Sequence, residues 1–221
     1  IMVHENFRYQ TPLVELKHAM AAIGEPFFAH IAWRTGYDVV AGQPYLAKVE
    51  RFIILDLGIH VLDVARFLLG DVSDIYARTQ RTMPGAVGES QATMTLGHRS
   101  GAVSAVTCTY TNRIDPDPFP QTLVEVEGST GTLKLRHGFQ LELHGRGKRE
   151  VSEVPPSVPS WADPQWALAQ ESVVTTQAHF IACLQSGEDF QTSGRDNLKT
   201  FALVEAAYAS ASSGQPVVPE A

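Results

Sequence analysis

Between Asp74 and Gly145 the chain alternates apolar and polar residues with a period of two, and this run limits the fold more than any other feature. "DIYARTQR", "SQATMTLGH", "GAVSAVTCTYTN", "TLVEVEGS", "GTLKLRH" and "FQLELHG" follow one another with glycine-containing turns between them. That pattern predicts about six strands in hairpin-like succession, hence an open and predominantly antiparallel sheet with one face to be covered. In the last two strands Leu133, Leu135, Leu141 and Leu143 point to one side, and Lys134, Arg136 and Glu142 to the other. In the middle strands the second face reads as Gln91, Thr93, Thr95 and Ser104, polar but uncharged. The helical patterns lie at the two ends of the chain. Helices on one face of such a sheet give an α+β domain spanning residues 1–221.

The flanking elements follow from their punctuation. Met2 to Tyr9 reads as a short strand. "TPLVELKHAMAAIG" reads as a helix with Thr11 as N-cap, Pro12 at its first position and Gly24 as terminator. Pro26 to Arg34 reads as an aromatic-rich strand, and Thr35 to Arg51 as a loop holding Tyr37, Tyr45 and Lys48. Val151 to Pro164 carries four prolines and reads as an extended connection. Trp161 and Trp166 flank it, where such residues usually pin a loop to the body. Two amphipathic helices, Glu171 to Ser186 and Ser193 to Ser213, close the chain.

Composition narrows the partners. The chain of 221 residues is 44% hydrophobic, 19% charged and carries a net charge of -7, which fits a folded domain and argues against nucleic acid or an anionic membrane as partner. No stretch approaches the roughly 20 apolar residues that a membrane span requires, and a cytoplasmic location is expected. Cys108 and Cys183 match no zinc or redox spacing and read as reduced core residues. A small molecule is the expected ligand.

"ILDLGIHVLDVARFLLGD", Ile54 to Asp71, poses the chemical question. Projected at about 100° per residue it places Asp56, His60 and Asp63 on one stripe. Leu57, Val61, Val64 and Leu68 flank the stripe on one side, Leu55, Ile59, Leu62 and Leu69 on the other, and Gly58 and Ala65 lie behind. A helix apolar on three sides is packed into a body, and its carboxylates need partners. Three readings compete: a satisfied hydrogen-bond network, a metal site, or acid/base catalysis with a carboxylate tuning the imidazole. The metal reading lacks further ligands at suitable spacing. Arg8 and Arg34 are candidates for contacts with a substrate, as is Tyr37, although exposed arginines and loop tyrosines often have no such role.

"DLGIHVLDVARFLLGD" resembles the D-x-G-x-H-x-x-D helix of the glucose-fructose oxidoreductase, inositol dehydrogenase and MocA family. "NFRYQTPLVELKHAMAAIGEP" and "SGEDFQTSGRDNLKTFALVEAAYASASSGQPV" resemble that family's segments after its nucleotide domain and at its end. The resemblance implies the C-terminal substrate and oligomerisation domain of an NAD(P)-dependent oxidoreductase acting on a sugar, polyol or similar alcohol. His60 would then accept the hydroxyl proton, with Asp56 beside it in the pocket. Asp63 would contact substrate or hold His60. Family members also associate through the open sheet, so a homodimer or larger homo-oligomer is expected. The chain departs from the family in two ways. "ERFIIL" stands where a glycine pair usually precedes the helix, and neither the glycine-rich dinucleotide fingerprint nor the Glu-Lys-Pro lysine occurs. The chain is therefore expected to lack an N-terminal Rossmann domain, to bind no NAD or NADP and no metal by itself, and to be inactive alone. An NAD-dependent glycosidase of the same family and a non-enzymatic ligand-binding or assembly module are the alternatives.

Overall fold

The computed structural model describes residues 1–220; Ala221, the last residue of the expected domain, lies outside them. The protein is α+β, with helices on one face of a single open sheet of eight strands rather than about six. The strands are β1 (Pro26–Arg34), β2 (Val72–Gln80), β3 (Gln91–His98), β4 (Val103–Thr109), β5 (Leu123–Gly128), β6 (Gly131–Arg136), β7 (Gln140–Gly145) and β8 (Lys148–Glu153). Their order is β2-β3-β4-β1-β5-β6-β7-β8, and only β1 and β4 run parallel.

The two additional strands have different origins. β1 is the aromatic-rich strand expected before the run, and it enters the middle of the sheet, between β4 and β5. Ala29, Ile31 and Trp33 on its core side are buried. β8 occupies part of the stretch expected to be an extended connection. All six of its residues, "KREVSE", are exposed, so no alternation of hydrophobicity betrays it. A two-residue turn folds it back on β7, with Arg146 at φ 51° and Gly147 at φ 73°, the positive dihedrals of a tight hairpin. Its charges suit an edge strand, where they discourage further pairing.

Three helices cover the inner face. α1 (Thr11–Ala19) lies over β6 and β7, α3 (Ile59–Leu69) over β1 and β4, and α5 (Gly194–Ser213) over β2. A single turn, α2 (Val39–Gly42), sits in the loop after β1, and α4 (Ala167–Ser186) precedes α5. The core between sheet and helices holds Ile31, Met94, Leu96 and Val126 from the strands and Leu13, Leu16, Val61 and Leu62 from the helices, each no more than 1% exposed.

Three local expectations are corrected. Residues 2–9 form no strand: Met2 makes one bridge with Ser193, and Phe7–Tyr9 is a 3-10 turn. The buried side chains of Glu5 and Arg8 are directed to partners across the fold rather than alternating between two faces. The N-cap of α1 is Gln10, because the Thr11 hydroxyl donates instead to Glu171 Oε1 at 2.6 Å. Ser104 belongs to the core face. It pairs with Leu96, is fully buried and bonds His98 Nε2 at 2.9 Å. The open face of β3 and β4 is instead built from Thr93 and Thr95 opposite Thr107 and Ala105.

Ile31→Ala is expected to cost about 2–5 kcal/mol through lost burial and a cavity. Thr95→Ala, on the open face, should change stability by less than about 0.5 kcal/mol. Urea unfolding of both variants checks the assignment of faces, and equal effects would contradict it.

Candidate active site

The polar stripe is not carried by one uniform helix. Ile54–Gly58 forms a π turn that leads directly into α3, a wider turn of a kind often found at functional sites. A buried carboxylate holds its start. Glu89 Oε1 accepts from the amides of Phe52 at 3.1 Å and Ile54 at 3.2 Å and from the Tyr208 hydroxyl at 2.6 Å. Amides that have no partner inside the helix are thereby satisfied by a charge. Asp56 and His60 face the same cavity, whereas Asp63 looks into the interior.

That cavity measures about 260 Å³. Its polar groups are Asp56, His60, Gln10 and Gln43, and its walls are aromatic, with Trp33, Tyr37, Tyr110 and Phe119 from the sheet side and Trp166 from the turn before α4. Tyr37 stacks on Phe119 at 4.0 Å between centroids, and Trp166 stands edge-on to both. A larger cleft of about 810 Å³ adjoins it through Tyr37 and Tyr110, and another of about 480 Å³ lies beside β7 and β8. Neither holds a histidine beside a carboxylate, so chemistry singles out the smaller cavity.

His60 is held on two sides. Its Nδ1 meets the Glu5 carboxylate, whose side chain is 3% exposed, and its ring stacks on Phe7 at 4.5 Å. With Nδ1 engaged, Nε2 is the nitrogen left for a ligand. Burial pushes the imidazole pKa down, but the charge and hydrogen bond of Glu5 outweigh it, and His60 lies above its ordinary 6.5. Burial raises the Asp56 carboxyl, opposed by the Tyr110 hydroxyl, which donates to Oδ2 at 3.0 Å, and by His60. A carboxylate fixing one nitrogen of an imidazole while the other faces a cavity is an arrangement able to take a proton from an alcohol.

Asp63 and Arg8 form a different unit. Arg8 Nε donates to Asp63 Oδ2 at 2.7 Å, Thr200 Oγ1 donates to Asp63 Oδ1 at 3.0 Å, and Arg66 reaches Asp196 at 2.8 Å and Thr200 at 2.7 Å. Burial lowers the Arg8 guanidinium pKa, and Asp63 more than restores it. Neither Asp63 nor Arg8 lines the cavity; together they lock the segment carrying Glu5 to α3 and α5. Arg34, at the end of β1, also lies off the cavity wall, while Tyr37 is part of it. Tyr45 is exposed and bonded to Gln43. Trp161 is exposed, and Trp166 closes the cavity. Sequence reasoning missed Glu5, Tyr110 and Phe119. Glu5 precedes its partner by 55 residues and sits in no periodic element, so spacing offers no signal for it.

Among the described residues no three His, Cys, Asp or Glu side chains converge as a metal site. Nor do the residues fit a whole dinucleotide. "GRGKRE", from Gly145, comes closest to a glycine-rich phosphate turn, but it lacks the third glycine and joins two strands instead of a strand and a helix.

Comparison with known proteins places this geometry among relatives. Residues 14–134 match the family model described as the GFO/IDH/MocA C-terminal domain. A D-apiose dehydrogenase from Rhizobium rhizogenes is 50% identical over 219 residues, 98% of this chain and 64% of that protein. A D-apiose dehydrogenase from Paraburkholderia graminis is 51% identical over 220 residues, 98% of this chain and 58% of that protein. Thus the chain spans about 60% of the length of these curated relatives. An oxidoreductase from Agrobacterium radiobacter, solved with NAD+, L-tartaric acid and magnesium, superposes with a TM-score of 0.96 at 50% identity, covering 98% of this chain and 64% of that one. A levoglucosan dehydrogenase solved with NADH and levoglucosan shares the fold, with a TM-score of 0.80 at 18% identity over 100% of this chain and 66% of that one.

Glu5→Gln is expected to lower the pKa of His60 by about 1–3 pH units, read from the ring-proton shifts in an NMR titration. The raised folded-state pKa fixes the sign of the stability effect. The pairing contributes stability that is complete below pH 6.5, the unfolded value, and lost as pH rises through the folded one. An unchanged titration in the variant would remove Glu5 from the site.

Proposed function

The chain belongs to the GFO/IDH/MocA family, and from that premise we propose that it supplies the substrate-holding and proton-accepting part of an NAD(H)-dependent dehydrogenase acting on a small sugar. The observation that carries this reading is the cavity in which His60, oriented by Glu5, meets Asp56 between aromatic walls. The names of the two D-apiose dehydrogenases, each about half identical to this chain, favour a branched pentose or a close analogue as substrate.

In this reading the cavity binds the sugar with its apolar C–H faces against Trp33, Tyr37 and Trp166. A hydroxyl points at His60 Nε2, and a second one donates to Asp56, which the Tyr110 hydroxyl holds in place. As the alcohol becomes a carbonyl its proton passes to Nε2, and the Glu5 carboxylate stabilises the imidazolium that forms. Asp63 and Arg8 act at a distance by keeping Glu5 in position. Removing one partner of such a buried pair costs about 3–5 kcal/mol. The nicotinamide, when bound, takes the hydride. Because the described residues hold no cradle for the dinucleotide, this part of the work is assigned to polypeptide of the kind that makes up the rest of the relatives' length. NAD(H) is favoured by the NAD+ bound to the Agrobacterium radiobacter protein.

Two further features complete the proposal. Thr93, Thr95, Thr107 and Ala105 give the open sheet a flat surface without charges, suited to a two-fold contact with a second copy. Cys108 and Cys183 are both free and buried, compatible with the reducing cytoplasm, and no helix is long and apolar enough to cross a membrane.

The test joins this chain to the nucleotide-binding portion of the Rhizobium rhizogenes relative and follows NADH formation on D-apiose. His60→Ala should lower kcat by about 10²–10⁴-fold, and unchanged turnover would remove His60 from the chemistry. Light scattering at tens of micromolar should give the mass of a dimer or larger; a monomer mass would contradict the sheet contact.

A further inference from the structure

Gln10 stands at the N-cap of α1, a place that usually goes to a short side chain able to accept from the first amides of the helix. Its side chain makes no such bond. Gln10 is nevertheless only 2% exposed, and a primary amide taken out of water without partners is costly. Two observations say where the amide is directed. Gln10 lines the cavity that holds Asp56 and His60. In the same wall Trp33 Nε1 is sealed in without a partner, whereas the Gln10 amide is not sealed, and none of the described residues bonds it. It therefore opens on the cavity. Its place there is enforced: Arg8, two residues earlier, is locked on Asp63 at 2.7 Å, and Gln10 N donates to Phe7 O at 2.9 Å. The fork that sets Glu5 against His60 thus also sets Gln10 on the wall beside it.

The hydrogen-bonding capacity of the cavity says what such an amide is for. His60 Nε2 accepts while the ring is neutral, because Nδ1 is engaged by Glu5. Asp56 accepts as well, with Oδ2 already taken up by the Tyr110 hydroxyl. Two acceptors engage two hydroxyl protons of a sugar and leave the lone pairs of its oxygens unanswered. A primary amide carries an acceptor and N–H donors side by side. That complements two neighbouring hydroxyls, one giving its proton to Oε1 and the other accepting from Nε2. A carboxylate in this place would bring no donor. Fixing the oxygens next to the reacting carbon also fixes the direction of its C–H bond, which hydride transfer requires.

We propose that Gln10 binds substrate and sets its specificity, the side-chain amide reading a vicinal diol beside the carbon whose hydroxyl His60 serves. The proposal rests on the dehydrogenase reading above, but the two fail separately. Since the amide has no partner in the free protein, Gln10→Leu, which removes its hydrogen-bonding groups and keeps a side chain of similar size, should leave the melting temperature of this chain unchanged or raise it. A fall of several degrees would mean that the amide is bonded within the fold, directly or through a trapped water, and overturns the proposal. In this chain joined to the nucleotide-binding portion of the Rhizobium rhizogenes relative, Gln10→Leu should raise KM for D-apiose about 10–100-fold and change kcat only a few-fold, the reverse of the pattern expected for His60→Ala. An unchanged KM, in a joined protein that His60→Ala still disables, overturns the role of Gln10 alone. Saturation-transfer NMR with D-apiose on this chain gives a second measurement if the joined protein folds poorly: transfer that Gln10→Leu weakens supports the proposal, and equal transfer in both chains, or none in either, overturns it. Sugar binding that Gln10→Leu weakens in a joined protein that forms no NADH supports the role of Gln10 and overturns the dehydrogenase reading instead.

Discussion

The fork of Arg8 on Asp63, buried between the first turn of the chain and α3, is the interaction on which the site depends. A guanidinium and a carboxylate taken out of water are costly unless each is fully bonded, and here Thr200, Arg66 and Asp196 complete the set. The consequence is geometric. Arg8 lies three residues after Glu5, so fixing Arg8 on Asp63 of α3 fixes Glu5 one helical turn back towards the start of the same helix, against His60. The Arg8–Asp63 ion pair and the Glu5–His60 hydrogen bond thus hold an irregular segment without any ladder of backbone hydrogen bonds.

The second constraint is the way the sheet is assembled. β1 enters between β4 and β5, which brings Trp33 under α3 and next to Tyr110 at the end of β4, with ring centroids 5.1 Å apart. Residues far apart in the chain become the two sides of one cavity. Glu89, reaching from the end of the β2–β3 connection to the first amides of the π turn, aims Asp56 and His60 into it. α4 closes the arrangement from outside. Its first turn contributes Ala169 to the cavity wall.

Much of this was legible in the residues. The period-two run gave strands β2 to β7, because alternating burial leaves a regular trace. β8 left none, since a strand with every side chain in water has no alternation to show. Ser104 was assigned to the wrong face because a hydroxyl reads as polar whether it meets water or a buried partner such as His98. The apolar flanks of α3 indicate that its polar residues face something other than core; Asp56 and His60 line a cavity, but Asp63 is fully buried in the interior. Asp63 turns away from Asp56 and His60, because Arg8 and Thr200, far off in the chain, bind its carboxylate, and a helical projection cannot register such long-range partners. Glu5 was invisible for a simpler reason: the pairing that matters is long-range, and Arg8, which enforces it, looked like a substrate ligand.

The account's central claim is that Glu5 holds the Nδ1 proton of His60 and leaves Nε2 free to accept one. The ring nitrogen chemical shifts of His60, measured in the 15N-labelled chain at a pH above its raised pKa, report the tautomer directly. The account predicts a protonated Nδ1 and an unprotonated Nε2, with the Nδ1 signal lost or exchanged in Glu5→Gln. A neutral His60 carrying its proton on Nε2 would contradict it.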